Sequence, residues 1–286
     1  MSQNDFDKQF KEQILHVFKY TVSFLEQHDL HYVACGGTVL GAVRHKDFIP
    51  WDDDIDIYLP RADYNRLLDL KQEARRDGFD ILSLRDKGYY LPFAKIVNRS
   101  TTLWEMEEFP FAMGVYVDVF PLDYFGCSDT ELTAIQRKSL KKFWRYQKTV
   151  SRIQTYDFWK DLLAGDFKQA QYKLEVMCFR PFRKTFLNAF LRYQDWYSSF
   201  AGDKAVCVTL WPGKIFKREW FEDTINQPFG DITVRIPRDY DGYLSCIYGD
   251  YMTPPPVERQ VSDHHHLYLN FDEGLTFAEI KRRMKA

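Results

Sequence analysis

The sequence predicts an α/β (α+β) fold, in which helices flank a mixed sheet core and a basic helical subdomain is inserted into it. Short strand patterns occur near residues 31–35, 54–59, 89–97 and 115–120, and a helical pattern follows several of them. Residues 129–200 then carry a helical pattern almost throughout. The 286 residues, 45% of them hydrophobic, suffice for one large core with an insertion.

Helices are expected at both ends of the chain and between the strands. Apolar residues at helical spacing predict a first helix over residues 5–27. A second helix is predicted to begin at Thr38, whose side chain would cap it. A third covers residues 63–77, and the last begins near Thr276.

The charge of the chain is unevenly distributed. Net charge is −2, but residues 137–184 contain 13 Lys and Arg against 4 Asp and Glu, a net of +9, which leaves −11 for the rest. We therefore divide the chain into a catalytic core over residues 1–128, a helical basic insertion over 129–200, and a C-terminal part over 201–286 that completes the core and its site.

The helical insertion also carries aromatic residues between its basic ones. This composition suits a surface that holds an anionic or membrane-linked acceptor, and it predicts peripheral contact with an anionic membrane. In the alternative interpretation, the aromatic side chains pack the insertion onto the core and the charges form a solvated face. The aromatic residues concerned are Phe143, Trp144, Tyr146, Phe158, Trp159 and Phe167.

Several classes of protein are disfavoured by composition. No window approaches the ~18 apolar residues of a membrane span, and the charged N-terminus lacks the apolar run of a secretion signal. We therefore expect a cytoplasmic protein, with peripheral attachment at the inner face of the membrane. The five cysteines are scattered and form no CxxC pair, which argues against a zinc site or a disulfide framework. We expect no nucleic acid among the partners.

Three aspartates are candidates for a metal-binding cluster. Asp54 and Asp56 alternate on a predicted strand, so both side chains project from the same face. Asp118 lies on a second predicted strand, and pairing of the two strands would bring the three carboxylates together. Oxygen ligands of this kind suit Mg²⁺ or Mn²⁺, and such ions support phosphoryl chemistry. The alternative is that residues 52–54 form an acidic surface turn.

A glycine-rich turn precedes the acidic strand. Gly36 and Gly37 follow the first predicted strand, where glycines would let backbone N–H groups approach a phosphate. Thr38 follows at the start of the predicted helix. Two adjacent glycines are more often a simple tight turn, so the position of this turn before the paired acids is what makes it informative.

These residues together resemble the signature of the LicD family. The motif comprises CGGTVLGAVRH at residues 35–45 and FIPWDDDIDI at residues 48–57. Further matches lie at residues 93–96 (FAKI), 118–123 (DVFPLD) and 248–252 (YGDYM). The family includes bacterial phosphocholine transferases and, more distantly, fukutin-type ribitol-phosphate transferases. The zinc-binding cysteine module of the fukutin-related enzymes is not reproduced by the five cysteines of this chain.

The resemblance implies a nucleotidyltransferase-like fold and a defined chemistry. It implies a CDP-activated alcohol as donor, release of CMP, and a glycan as acceptor, which is free or lipid-linked. It also implies that Asp54, Asp56 and Asp118 bind magnesium and are catalytic. The residues alone indicate only metal and phosphate.

Further residues are candidates for substrate binding. Arg44 and Lys95 are expected to hold the diphosphate, the alternative being a surface cation or a structural ion pair. His45, Trp51 and Asp53 flank the site, and Trp51 would either stack on the substrate or pin its loop to the core.

The C-terminal part and the aromatic residues leave alternatives open. Arg259 or one of the histidines at 264–266, for which we select His265, is expected near the phosphates. The three adjacent histidines are poorly suited to bind one metal ion, because neighbouring side chains on an extended chain point in alternating directions. Tyr89, Tyr90 and the aromatic residues of 104–111 would form either a cage for a quaternary ammonium group or part of the core.

The leading functional prediction is transfer of a phospho-alcohol, such as phosphocholine or a polyol phosphate, from a CDP-activated donor to a hydroxyl of a cell-surface glycan. Asp118 would then also serve as general base. One alternative is a nucleotidyltransferase that delivers the nucleoside monophosphate itself. The other is a non-catalytic module that binds a glycan or a nucleotide.

Overall fold

A mixed sheet flanked by helices forms the centre of the molecule, which confirms the predicted fold class. The computed structural model describes residues 3–153, 155–209, 213–262 and 266–285. In chain order, the elements before the helical insertion are α1 (Gln3–Gln27), β1 (Val33–Ala34), α2 (Gly36–Leu40), a π-helical turn (Gly41–His45), β2 (Asp56–Pro60), α3 (Arg61–Asp69), α4 (Lys71–Arg76), β3 (Phe79–Leu82), β4 (Ala94–Asn98), β5 (Thr102–Trp104) and β6 (Tyr116–Phe125).

The central strand of the sheet is β6. The strand order is β1-β2-β6-β4-β3, and β6 runs parallel to β2 but antiparallel to β4. The far end of β6 extends the sheet by pairing with β7 (Lys204–Val206), which in turn pairs with β8 (Phe216–Lys217). Helices α1 and α3 pack against β6. Because β6 pairs with a strand on each side and helices pack against it, its polar side chains lie close to the buried core.

Several predicted boundaries differ from the observed ones. Thr38 was expected to cap α2, but Cys35 occupies the N-cap position and Thr38 lies inside the helix. There its hydroxyl accepts a hydrogen bond from the Asp56 backbone N–H at 2.8 Å, so it joins α2 to β2. The predicted helix over 63–77 is two helices, α3 and α4, which meet at Leu70.

Residues 129–200 are helical almost throughout, as predicted. Gly165, with φ +77°, separates the second and third helices, and Pro181 lies in the short 3₁₀ turn before the fourth. Ser128 and Glu131 form a capping box that fixes the start of the first. The helices are α5 (Asp129–Val150), α6 (Thr155–Leu163), α7 (Phe167–Phe179) and α8 (Arg183–Ser198), with a 3₁₀ turn at Arg180–Phe182.

The C-terminal part returns to the core and to the site. Strand β11 pairs with β5. The last helix starts at Thr276, as the sequence predicts, and Thr276 forms a capping box there with Glu279. The elements of this part after β8 are α9 (Glu219–Glu222), β9 (Thr224–Phe229), β10 (Ile232–Pro237), α10 (Tyr240–Tyr248), a 3₁₀ turn (Val257–Arg259), β11 (Tyr268–Asn270) and α11 (Phe277–Arg283).

The aromatic residues of the insertion divide between the core and the surface. Phe143 and Tyr146 are buried against Phe190 of α8, which agrees with the core-packing interpretation. Trp144 and Trp159, by contrast, are 54% and 53% exposed. None of the described helices combines the length and the apolar character that a membrane crossing requires.

Candidate active site

Asp54, Asp56 and Asp118 form one cluster. Each contributes a carboxylate oxygen, and these oxygen atoms lie within 4.8 Å of one another. The cause is the register of the sheet: Asp56 on β2 is directly opposite Asp118 on β6, and Asp54 precedes β2 by two residues. The predicted pairing of the two acidic strands is therefore confirmed, and it brings Asp54 beside Asp56 and Asp118.

Lys95 completes the floor of the cluster. It lies on β4 opposite Asp118, and its Nζ is 2.8 Å from an oxygen of that carboxylate. The same Nζ lies 3.1 Å from the centre of the Tyr116 ring. Lys95 is 2% exposed, so the sequence-based alternative of a structural ion pair describes its observed contact.

The electrostatics of the cluster suit a cation. Burial raises the pKa of Asp56 well above its usual range, and the nearby carboxylates Asp54 and Asp118 raise it further, while Lys95 opposes the shift. Oδ1 of Asp56 is buried and accepts no hydrogen bond from a described residue. A hard divalent cation would give this oxygen a partner and would add the positive charge that offsets the carboxylates.

The glycine-rich turn is shaped by two different constraints. Gly36 adopts φ +52°, which favours glycine, and its N–H donates to the hydroxyl of Tyr243 at 3.0 Å. A Cβ on Gly37 would lie 2.5 Å from an oxygen of Asp52, so a larger residue there would require that side chain to move. Of the predicted residues Gly36, Gly37 and Thr38, the structure directs Gly37 toward the open cavity and turns the other two toward the protein.

Arg44, His45 and Trp51 lie together on one side of the site. Arg44 donates from Nε to His45 Nε2 at 2.9 Å and from Nη1 to the Tyr251 carbonyl oxygen at 2.6 Å. Burial, with a smaller contribution from Arg44, lowers the pKa of His45, which agrees with a neutral imidazole accepting this bond. The rings of His45 and Trp51 meet edge to face, with centroids 6.2 Å apart.

The C-terminal loop is fastened to the acidic loop through Asp53. This carboxylate accepts a hydrogen bond from the Ser262 hydroxyl at 2.8 Å and lies 3.2 Å from Nε2 of His266. Asp53, predicted to bind substrate, thus contacts protein groups. His265, also predicted to bind substrate, lies outside the described residues, as does His264.

A cavity of about 500 Å³ opens above the cluster. Arg44, Trp51, Asp54, Asp56 and Arg259, all predicted site residues, line it. Some other residues of its wall have no role predicted from the sequence, although most of them lie in the motif at residues 248–252. These additional residues are Asp52, Tyr248, Asp250, Tyr251 and Thr253.

The aromatic cage considered from the sequence is part of the core. Tyr89 and Tyr90 are 0% and 1% exposed, and Tyr90 stacks on Phe109 with ring centroids 4.3 Å apart. The alternative interpretation of core packing is therefore the one observed. Among the described residues, the aromatic side chains that line the cavity are Trp51, Tyr248 and Tyr251.

Two adjacent strands of the mixed sheet, with the residue two positions before β2, thus bring three carboxylates together. Residues 29–158 match the family described as LicD/FKTN/FKRP, nucleotidyltransferase domain. The resemblance to the LicD family inferred from the motifs is thereby confirmed over this part of the chain.

Relatives with curated names share different lengths of the chain. The lipopolysaccharide cholinephosphotransferase LicD of Haemophilus influenzae is 25% identical over 253 residues, which is 87% of this chain and 92% of that protein. The ribitol 5-phosphate transferase FKRP of Homo sapiens is 49% identical over 39 residues, only 14% of this chain and 8% of FKRP. An uncharacterized protein of Rickettsia prowazekii is 34% identical over 65 residues, 23% of this chain.

Proposed function

We propose that this protein is a metal-dependent phosphotransferase that moves a phospho-alcohol from a CDP-activated donor to a hydroxyl of a cell-surface glycan, with CMP as the leaving group. The observation that carries the proposal is the cluster of Asp54, Asp56 and Asp118 beneath an open cavity with two arginines in its wall. The named relatives support the substrate class, since one is a cholinephosphotransferase of lipopolysaccharide and another a ribitol 5-phosphate transferase.

The cluster has the donor set for Mg²⁺ or Mn²⁺. Asp54, Asp56 and Asp118 would hold the cation, each through one carboxylate oxygen. When bound, a divalent cation neutralises phosphate charge and favours departure of the leaving phosphate. Lys95 holds Asp118 in place and keeps a positive charge beneath the site.

The donor would lie along the wall that carries the arginines. Arg44 is pre-oriented by its bonds to His45 and Tyr251, so its remaining N–H groups can face the diphosphate. Arg259 lines the same cavity from the C-terminal side. Trp51 provides a flat apolar surface for the cytosine or for the alcohol.

In the reaction, the acceptor hydroxyl oxygen bonds to the phosphorus that carries the alcohol. The bond between that phosphorus and the bridging oxygen of the diphosphate breaks, and CMP leaves with the electron pair. The hydroxyl proton passes to a carboxylate of the site. Asp54 is better placed for this role than Asp118, since it lines the cavity while Asp118 is buried against Lys95.

The test is to trace both halves of the donor. Purified protein with Mg²⁺ is incubated with CDP-choline, CDP-ribitol, CDP-glycerol or CDP-ethanolamine, labelled either in the cytidine or in the alcohol, together with a bacterial glycan acceptor. The proposal predicts that the alcohol label enters the glycan and that the cytidine label appears as CMP. Asp54→Asn should stop both, whereas Asp195→Asn, an exposed acid on α8, should stop neither. Transfer of the cytidine label would instead identify a nucleotidyltransferase.

A further inference from the structure

The turn between α6 and α7 exposes apolar side chains to an unusual degree. Leu163 is 85% exposed, Phe167 70% and Trp159 53%. Trp159 and Leu163 are four residues apart on one face of α6, and Phe167 begins α7 just beyond the turn. We call these three residues the hairpin tip. Scattered single apolar residues are normal on protein surfaces, but three large ones around one turn indicate contact with something apolar.

Basic side chains flank the hairpin tip. Lys160 and Lys168 are both exposed, and neither forms an ion pair with a described residue. Two of the nearby acids are already engaged: Asp161 pairs with Lys173 at 2.5 Å, and Asp166 caps α7 by accepting the Gln169 N–H. The tip therefore combines exposed apolar groups with available positive charge.

The hairpin is held firmly enough to present its tip. Lys148 of α5 forms an ion pair with Glu175 of α7, and the hydroxyl of Tyr172 donates to Glu108. Val176 of α7 is fully buried, whereas Phe167 at the start of the same helix is exposed, so one side of this helix is packed while its end projects. A rigid hairpin with an exposed Trp, Leu and Phe loses little conformational freedom when it binds a surface.

We propose that the hairpin tip inserts into the interfacial layer of an anionic lipid bilayer. Trp, Leu and Phe beside Lys is the composition that favours this layer, because the apolar groups enter the acyl boundary while the ammonium groups stay at the lipid phosphates. Charge distinguishes this occupant from a second copy of the chain. Residues 137–184 carry a net +9, so two such segments repel each other whereas an anionic bilayer attracts one.

The experiment is co-sedimentation with vesicles of phosphatidylcholine alone or mixed with phosphatidylglycerol, at low and at physiological salt. We compare the wild type with Leu163→Ser/Phe167→Ser and with Lys160→Glu/Lys168→Glu. The matched controls are Met284→Ser and Lys285→Glu, which alter an exposed apolar residue and an exposed lysine near the C-terminus. Circular dichroism checks that each variant is folded.

The wild type should bind the anionic vesicles more strongly than the neutral ones, and salt should weaken this binding. The affinity of each double variant for anionic vesicles should fall by about tenfold or more, and both controls should bind like the wild type. Absence of wild-type binding to anionic vesicles at low salt overturns the proposal, as does undiminished binding by either double variant. A dimer that is lost in the tip variant, without any vesicle binding, would make the tip a self-association surface instead. Vesicle binding is measured without turnover, so it does not depend on the proposed function.

Discussion

The acid cluster and the hairpin tip are both arrangements that a protein would not adopt for stability alone. In the cluster, like charges gather in a half-buried cavity, and burial together with neighbouring carboxylates raises the pKa of Asp56. At the tip, Leu163 and Phe167 remain largely in water. Each arrangement would become favourable with a partner of matching chemistry, and we propose a divalent cation for the cluster and an anionic bilayer for the tip.

The two regions differ in whether neighbouring residues offset the unfavourable arrangement. The cluster lies on central strands, where Lys95 offsets part of the negative charge. The tip lies at the end of an inserted hairpin and has no comparable compensation among the described residues. The acids of the cluster are thus held by core packing, whereas the residues of the hairpin tip lie at the surface. Substitutions in one region should therefore leave the properties of the other unchanged.

The largest effect is expected from the acids that line the cavity. Asp54→Asn and Asp56→Asn should each lower turnover on the order of 10³-fold, because a neutral amide binds a cation weakly and leaves transition-state charge uncompensated. Both variants should still bind anionic vesicles like the wild type, since their sites lie outside the insertion. Steady-state CMP release and co-sedimentation measure the two properties. Near-wild-type turnover in either variant would contradict the assignment.

Substitution of two acids of the same cluster should change the free energy of unfolding in opposite directions. Asp118→Asn leaves the Lys95 ammonium buried without its ion-pair partner, which should lower the free energy of unfolding by about 3–5 kcal/mol. Asp56→Asn should raise the free energy of unfolding in metal-free buffer, since it removes a carboxylate that its neighbours repel.

Urea unfolding in the presence of a chelator measures both changes. The double variant Asp118→Asn/Lys95→Met should recover part of the loss, because it removes the uncompensated charge. If Asp118→Asn and Asp56→Asn shift the unfolding midpoint in the same direction, Lys95 does not have the role assigned to it.

A smaller effect is expected at the wall of the cavity. Arg44→Ala should weaken binding of a CDP-activated donor about tenfold, the size expected for loss of a charge-assisted hydrogen bond to phosphate. Binding of the free alcohol should be unchanged. Isothermal titration calorimetry gives both affinities, with Arg66→Ala on the exposed face of α3 as the control. Equal donor affinity in wild type and Arg44→Ala would remove Arg44 from the donor site.

The smallest effect is expected at Asp80, in the sheet but outside both regions. Burial alone would raise the pKa of Asp80, but hydrogen bonds from Arg75 and Lys71 outweigh it and hold that pKa below its usual value. The carboxylate therefore stabilises the fold above its unfolded-state pKa of about 3.9, and this contribution is lost as pH falls through the lower folded-state value. The stability difference between wild type and Asp80→Asn should be constant near neutrality and shrink below about pH 4. A difference that grows with acidity would show the opposite linkage.

The positions of the three acids on the sheet were largely predictable from the sequence. Alternation placed Asp54 and Asp56 on one face, and the motif around Asp118 identified the strand that pairs with them. The contact between Lys95 and Asp118 was not predictable in detail, because it depends on the register of β4 against β6. Thr38 was wrongly expected to cap a helix, since its bond to the Asp56 N–H exists only once α2 and β2 are packed.

The insertion was predictable only as helices. Phe143 and Tyr146 on α5 are buried, whereas Trp144 between them is exposed, because neighbouring residues on a helix point about 100° apart. Which face is buried depends on where α7 and α8 pack, and both faces of these helices carry aromatic residues. The sequence therefore left the surface and core-packing interpretations open, and the structure assigns different residues to each.

The central claim is that Asp54, Asp56 and Asp118 hold a divalent cation, and thermal unfolding across a Mg²⁺ titration tests it most directly. A ligand at 100 times its dissociation constant stabilises the folded state by about 2.7 kcal/mol, so the midpoint of the wild type should rise steadily with Mg²⁺. Asp56→Asn should start from a higher midpoint without metal and respond little to Mg²⁺, while Asp195→Asn should follow the wild type. A wild-type midpoint that ignores Mg²⁺ and Mn²⁺, or an equal rise in Asp56→Asn, would contradict the account.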